Sequence, residues 1–453
     1  MSINSLFEIS QRSFRALNAK MNATGQNVAN ADSEGYHRRR ATLQASNTVS
    51  SGIYTSPAQN NTPGDGASLD SFERVRDRML DQAAAEAQTG EKGAREEARL
   101  LSVLEGALAT DTEGSLTSSL ESFFGGLNDL ANNPTDQGVR ETVLAKADAL
   151  TGAFDRLDQK IGGLESDTES ALASSVDKAN GLIEEVAGLN KKISEARASG
   201  TPDLAAKDRR DSLVKKLSGL MPVDVQEDSN GYTLSVNGMN VVQGTETTQL
   251  RAKNLESPSA PTVEFGDTGV AFEPGSENAG EIGAQLRTLN QTLPEVQNQL
   301  DSLANDVVTQ VNSIHENGFD QNGNTGDPFF DPTGTTAGSL QRAVSAPEEI
   351  AAYGAAGEPG NTTPAQNMAA LSDSLTPKAI DLSANVGSKV QQAAAREEAK
   401  AATADHLESM AKGVSGVSVD EEMSTLIEQQ QQFAASARVL RTAQEVTNTL
   451  LSM

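Results

Sequence analysis

Residues 139–193 read VRETVLAKADALTGAFDRLDQKIGGLESDTESALASSVDKANGLIEEVAGLNKKI. Val139, Val143, Ala147, Leu150, Phe154, Leu157, Ile161 and Leu164 follow one another at spacings of 4-4-3-4-3-4-3, and Leu172, Val176, Ala179, Ile183, Val186 and Ile193 resume the pattern after a run of small residues. That period is the apolar stripe of an α-helix. A continuous helix over 136–198 would be about 95 Å long at 1.5 Å per residue, so it predicts a rod-like bundle.

The segments around it fit the same architecture. Leu116, Leu120, Phe123, Leu127 and Leu130 mark a helix that stops at Asn132-Asn133-Pro134, where proline cannot continue the ladder. Upstream, Leu69, Phe72, Met79, Ala83, Leu101, Leu104 and Leu108 predict helix from Ser68 to about Ala109, weakened at Gly90 and Gly93, after a polar linker over 41–67. Downstream, Leu213, Leu217 and Leu220 mark a short helix, after which residues 223–272 read as β. There Tyr232, Leu234 and Val236 alternate, and Asn237-Gly238 fits a two-residue type I′ turn before Met239–Val242. Ten apolar residues from Ile282 to Ile314 then run at 3–4 spacing, with a bend expected at Pro294. Residues 318–377 are rich in Gly, Pro and Asn; a helix over roughly 379–411, broken by Gly413 and Gly416, precedes a last one over about 419–451.

Ile3, Phe7, Phe14, Leu17, Met21 and Val28 place another amphipathic helix at the N-terminus. The fold class is therefore mainly α with a small β insertion. The bundle is elongated and built from both halves of the chain, with amphipathic helices from both ends at one pole and a protruding β domain.

Composition narrows the function. The 453 residues carry net charge −27, 36% apolar and only 4% aromatic residues, with no Trp and no Cys. Scarce rings favour narrow helical cores. Without Cys there is neither a disulfide nor a thiolate metal site. The acidic balance argues against nucleic acid and anionic membranes as partners. No window approaches the roughly 18 apolar residues of a membrane span, and MSINSLFEIS lacks the basic and apolar regions of a signal peptide. A soluble chain is expected, with any export by another route.

Catalytic motifs are scarce. His37, His315 and His406 lie far apart, and no GxxxxGK[ST], GxGxxG or GxSxG occurs. His315 reads as an ordinary residue at the end of a helix. Asp320, Asn322 and Asn324 resemble the opening of a calcium loop with Asp331 at its twelfth position, but Thr325 replaces the required Gly and the bidentate Glu is missing. An Asn-Gly-rich turn is the simpler reading. No catalytic residue, cofactor or metal is expected.

The stretch NVANADSEGYHRRR (27–40) ends the first helix, turns at Gly35-Tyr36 and carries four potentially basic residues. It resembles the N-terminal signature of the bacterial flagellar axial proteins, with Asn27, Asn30, Gly35 and Tyr36 at the matching places. The segment SVDEEMSTLIEQQQQFAASARVLRTAQEVTNTLL near the C-terminus is similar to that of the hook-associated protein 1 family within them. Residues 203–221, 281–324 and PFFD (328–331) agree as well, so the resemblance covers nearly the whole chain. Phe433 departs from the Tyr often found there, and the chain is shorter than many relatives, which implies a reduced or absent outer domain.

The resemblance implies a non-catalytic structural component of the flagellum. It would form the ring that joins hook to filament and allow flagellin to assemble on the hook; another rod or hook protein is the alternative. It implies a coiled-coil-like inner domain of residues 1–40 plus 414–453, a helical bundle of 41–222 plus 277–413 and a β-rich outer domain of 223–276. Assembly residues would be Ile3, Phe7, Phe14, Leu17, Met21, Asn27, Val28, Asn30, Gly35 and Tyr36 at one end. At the other they would be Met423, Leu426, Ile427, Phe433, Ala437, Leu440, Val446 and Leu450. Implied partners are further copies of the chain, the hook protein, a second junction protein (hook-associated protein 3) and an export chaperone. Export through the flagellar type III apparatus, with chain ends disordered in the free monomer, follows from the same resemblance. Arg38–Arg40 are expected to meet acidic surfaces of neighbouring subunits.

Overall fold

The computed structural model describes residues 3–33, 35–45, 67–109, 114–228, 231–255, 259–274 and 278–452. Helix α1 (Ile3–Ala29) leads into an antiparallel pair, β1 (Arg39–Ala45) and β2 (Ala67–Arg74). Helices α2 (Arg78–Ala107), α3 (Leu116–Asn132), α4 (Gln137–Ala198) and α5 (Leu204–Leu220) follow. Six short strands then form a meander of β3 (Asp224–Asp228), β4 (Gly231–Val236), β5 (Met239–Gln243) and β6 (Glu246–Thr247), and a hairpin of β7 (Leu250–Lys253) and β8 (Thr262–Phe265). The second helical half comprises α6 (Gly280–Arg287), α7 (Leu293–His315), α8 (Thr363–Ala370), α9 (Ser372–Ser415) and α10 (Val419–Leu451).

The deciding stretch is one unbroken helix of 62 residues, about 93 Å at 1.5 Å per residue. Its first turn is held by Asp136, whose Oδ1 accepts from the amides of Gly138 (2.8 Å) and Val139 (3.2 Å). The residues of the 3–4 repeat from Val143 to Ile193 are buried, with Val139 half-buried at the start. Helices α3, α5, α6 and α7 pack against successive parts of α4, and α2 runs along α9. The two halves of the chain thus share one core.

Four local readings change. Residues Ala67–Arg74 are strand rather than helix, pairing Leu69 with Leu43 and Phe72 with Ala41. Leu69 and Phe72, three apart, carry the helix period, but in the strand an extra residue at Asp70 shifts the register between them, and the helix begins only after Asp77, which caps the amides of Met79 and Leu80. Gly90 and Gly93 allow a close crossing, since a Cβ on Gly93 would lie 3.0 Å from the Gly280 carbonyl oxygen. The bend expected at Pro294 is a π-helical turn over Thr288–Thr292, just before α7, which absorbs the amide that proline lacks. Helix α9 runs through Gly413 and ends at Gly416.

The β insertion follows its pattern. Asn237 and Gly238 take φ of 49° and 79°, as a type I′ turn requires. Tyr232, Leu234 and Val236 are buried. The Gly/Pro-rich segment after α7 is packed into the core, because Phe329 and Phe330 are fully buried and their rings lie tilted against Phe123 with centroids 5.7 Å away.

Candidate functional site

Helices α1 and α10 lie against each other, and β1 and β2 cover another side of α1. The seam repeats at heptad-like spacing on α10 through Glu422, Leu426, Gln429, Phe433, Ala437 and Leu440. Leu426, Phe433, Ala437 and Leu440 are half-buried, and Phe433 meets Phe14 edge to face with centroids 4.8 Å apart. On α1, Leu17 is buried, Met21 and Val28 are half-buried, and Phe7 is exposed. The side chains of Ile3 and Leu450 lie outside the described residues.

Two polar rungs interrupt this seam. Thr24 accepts from Gln429 Nε2 at 3.2 Å, and Asn27 Nδ2 donates to Glu422 Oε2 at 2.9 Å. Glu422 is only 2% exposed. Buried polar residues in an apolar seam define register, because a shifted pairing would strand them.

Asn27 uses all of its bonding capacity. Its Oδ1 accepts from the Tyr36 hydroxyl (2.9 Å) and the Arg39 amide (2.8 Å), while Nδ2 also donates to the Arg39 carbonyl (3.0 Å). The side chain mimics a strand neighbour for Arg39 and ties the chain's return to the helix it has just left. Burial pushes the pKa of Tyr36 up, with Asp208 and Glu422 adding to the rise against Arg39, so the hydroxyl remains a donor. Asn30 bonds only locally, to the Gln26 carbonyl at 2.8 Å. Gly35 is exposed with φ of 76°, a left-handed conformation that favours glycine.

Two of the arginines find partners within the chain. Arg38 Nε pairs with Glu422 Oε1 of the same chain at 2.6 Å, and Arg38 also reaches Glu421 at 3.5 Å. Arg39 donates to Gln26 Oε1 at 2.9 Å and stacks 5.0 Å over the Tyr36 ring. Arg40 is exposed. A buried carboxylate needs a cation nearby, and Arg38 meets that need within the chain. Sequence reading placed Glu422 and Gln429 in a charged helix start and a Gln run. Their phase with Leu426 and Phe433 was the signal that they face inward.

Helix α10 keeps large apolar side chains outside the seam, Met423 and Ile427 on one flank and Val439 and Val446 on the other. Met423, Ile427, Val439 and Val446 are 43–53% exposed, while the half-buried residues of the same helix face α1. Elsewhere the candidate residues hold the body together. His315 Nε2 accepts from the Ala351 amide at 2.8 Å, so Nδ1 carries the proton that it donates to the Asp327 carbonyl at 2.6 Å. Asp320 Oδ1 accepts from the amides of Asn322 and Asn324 at 2.8 and 2.7 Å, the bonding of an Asn-Gly-rich turn. Among the described residues no group of three or more His, Cys, Asp or Glu is placed to hold a metal, and no helix is long and apolar enough to cross a membrane.

Comparison with known proteins gives the same picture. The family model of the flagellar hook-associated protein FlgK helical domain matches residues 101–330, just over half of the chain. The model of the flagellar basal body rod FlgEFG protein C-terminal region matches 413–453. The chain is similar to flagellar hook-associated protein 1 of Bacillus subtilis, with 26% identity over 98% of this chain and 97% of that protein. It is 30% identical to the Salmonella typhimurium protein of the same name over 72% of this chain and 59% of the relative. Among solved structures it is similar to the flagellar hook junction protein FlgK from Burkholderia pseudomallei, with a TM-score of 0.50 and 28% identity over 55% of this chain and 46% of that one. The helical body, the paired ends and these likenesses agree, and the chain belongs to the FlgK family of flagellar hook-associated proteins, structural components of the bacterial flagellum.

Proposed function

We propose that this chain assembles as a ring between hook and filament, with its paired ends forming the inner tube. The observation that carries this is the apolar surface that α10 leaves exposed on both flanks of the seam. Four large apolar side chains stand exposed, two on each flank of the seam, on a helix whose seam face already packs on α1. Fully burying an exposed aliphatic side chain stabilises by about 1.5–3 kcal/mol, and about half of that where half is already covered, so neighbouring copies covering both flanks would hold the ring together. Residues 1–40 plus 414–453 form this inner domain, 41–222 plus 277–413 the bundle and 223–276 the outer β domain. The seam residues from Ile3 to Tyr36 and from Met423 to Leu450 act in assembly.

The ring meets hook protein on one side and a second junction protein, hook-associated protein 3, on the other. The chain reaches this place through the flagellar type III apparatus, its C-terminal amphipathic segment held by a chaperone. It has no catalytic role. Immunogold labelling of purified hook–filament complexes tests the assignment. A single band of label at the hook–filament boundary is the expected result. Label along the hook or within the rod would assign the chain to another axial position.

A further inference from the structure

Helix α1 packs along α10, β1 and β2, and among the described residues its main packing is with these rather than with the helices of the bundle. Apolar packing therefore does little to fix the terminal unit on the body. The backbone joins them where β2 leads into α2 and where α9 leads into α10. The remaining ties converge on α5. A Cβ on Gly35 would lie 3.2 Å from the Ser212 Cβ, so the signature turn rests directly on that helix. Beside it, Asp208 accepts from His37 Nδ1 (3.0 Å), Arg74 Nη1 (3.0 Å) and Arg39 Nη2 (3.5 Å). One turn further, Asp211 accepts from Arg74 (2.7 Å), Arg76 (3.1 Å) and the Tyr232 hydroxyl (2.5 Å).

Residues three apart share one face of a helix, so these two carboxylates present a single acidic edge. To one side stand the signature turn and the end of β2. To the other, Tyr232 belongs to the β insertion, and its ring stacks 3.3 Å from the fully buried Arg210 of α5. Arg210 in turn donates to Asn190 of α4 at 3.0 Å. The side chains of Arg74, Asp208 and Asp211 are 6%, 10% and 15% exposed, where charge pairs are far less screened than at the surface.

We propose that Asp208 and Asp211 form the joint that fixes the angle of the terminal helices on the body and carries force between the inner tube and the outer bundle. Their bonds reach the signature turn, β2, the β insertion and, through Arg210, α4, so displacement of the ends would break several buried charge contacts at once. The proposal rests on the reading of the chain as a hook–filament ring.

Cells lacking the gene would be complemented with the unaltered chain, with Asp208→Asn, with His37→Gln/Arg39→Gln, and with Asp155→Asn as a control outside the joint. Filaments per cell are counted by electron microscopy after graded shear, and the chain at purified hook ends is measured by immunoblot. Asp208→Asn and His37→Gln/Arg39→Gln are expected at hook ends at normal levels, with filaments lost at several-fold lower shear; Asp155→Asn matches the unaltered chain. Retention at the unaltered level by either joint variant overturns the proposal. So does absence of both variants from the hook ends, which would make the contact necessary for building rather than for holding. If the deletion strain itself keeps its filaments, the ring reading fails instead, independently of the joint.

Discussion

Acidification should loosen the body at His315. The imidazole is fully buried at the end of α7 and lies edge-on to Phe329 at 5.3 Å. Burial pushes its pKa down from 6.5 to about 4, against the opposing pull of the Asp327 carbonyl. In the unfolded chain the ring takes up a proton near its ordinary pKa; in the folded chain it stays neutral until about pH 4. The unfolded state therefore binds more protons between these values, and stability falls as pH drops through them. At about 1.4 kcal/mol per pKa unit the loss amounts to roughly 3 kcal/mol, fully present at pH 4 and absent above pH 6.5. Protonation of Nε2 would also remove the acceptor of the Ala351 amide.

Urea unfolding followed by circular dichroism, from pH 7.5 to 4, measures this against His315→Gln, which keeps a donor and an acceptor without titrating. Other groups cancel in that difference, including Asp81 and Glu165, whose pKa values burial raises. The unaltered chain is expected to lose about 3 kcal/mol relative to the variant across the window. A difference that stays constant from pH 6.5 to 4 would refute the buried neutral imidazole.

Other perturbations separate the seam from the exposed flanks of α10 and from the core. Asn27→Ala strands the Tyr36 hydroxyl, both Arg39 backbone groups and one oxygen of Glu422; with neutral bonds worth about 1 kcal/mol each and charged ones more, amide exchange over 36–45 should rise at least about tenfold. Ile427→Asp changes a side chain 53% exposed, so the stability of the isolated chain should move by less than about 0.5 kcal/mol, while filament growth in complemented cells should fail. Phe330→Ala removes a fully buried ring that contacts Phe123 and Phe329 and should cost about 3–5 kcal/mol, read as a lower urea midpoint.

Much of this architecture was legible from period alone. The repeat through Val143, Phe154 and Ile183 could be placed because sixty residues keep one phase, and Asn237-Gly238 because few sequences satisfy two left-handed residues. The strand Ala67–Arg74 was not, since the three-residue spacing of Leu69 and Phe72 mimics a helix, the irregularity at Asp70 hides the strand period, and the partner strand lies more than twenty residues away. The packed loop holding Phe329 and Phe330 carries no period, and its burial depends on α3. At the chain ends the sequence reading found the apolar seam but not its polar rungs. Glu422 looks like a favourable acid in a first helical turn until Asn27 and Arg38 are seen around it. The contacts on Asp208 involve residues more than 130 positions apart, and no local pattern announces them.

The most direct test of the account is to delete the gene in its source organism, image the cells by electron microscopy and assay flagellin in the medium. The account predicts bare hooks with flagellin lost to the medium. Normal filaments would contradict it.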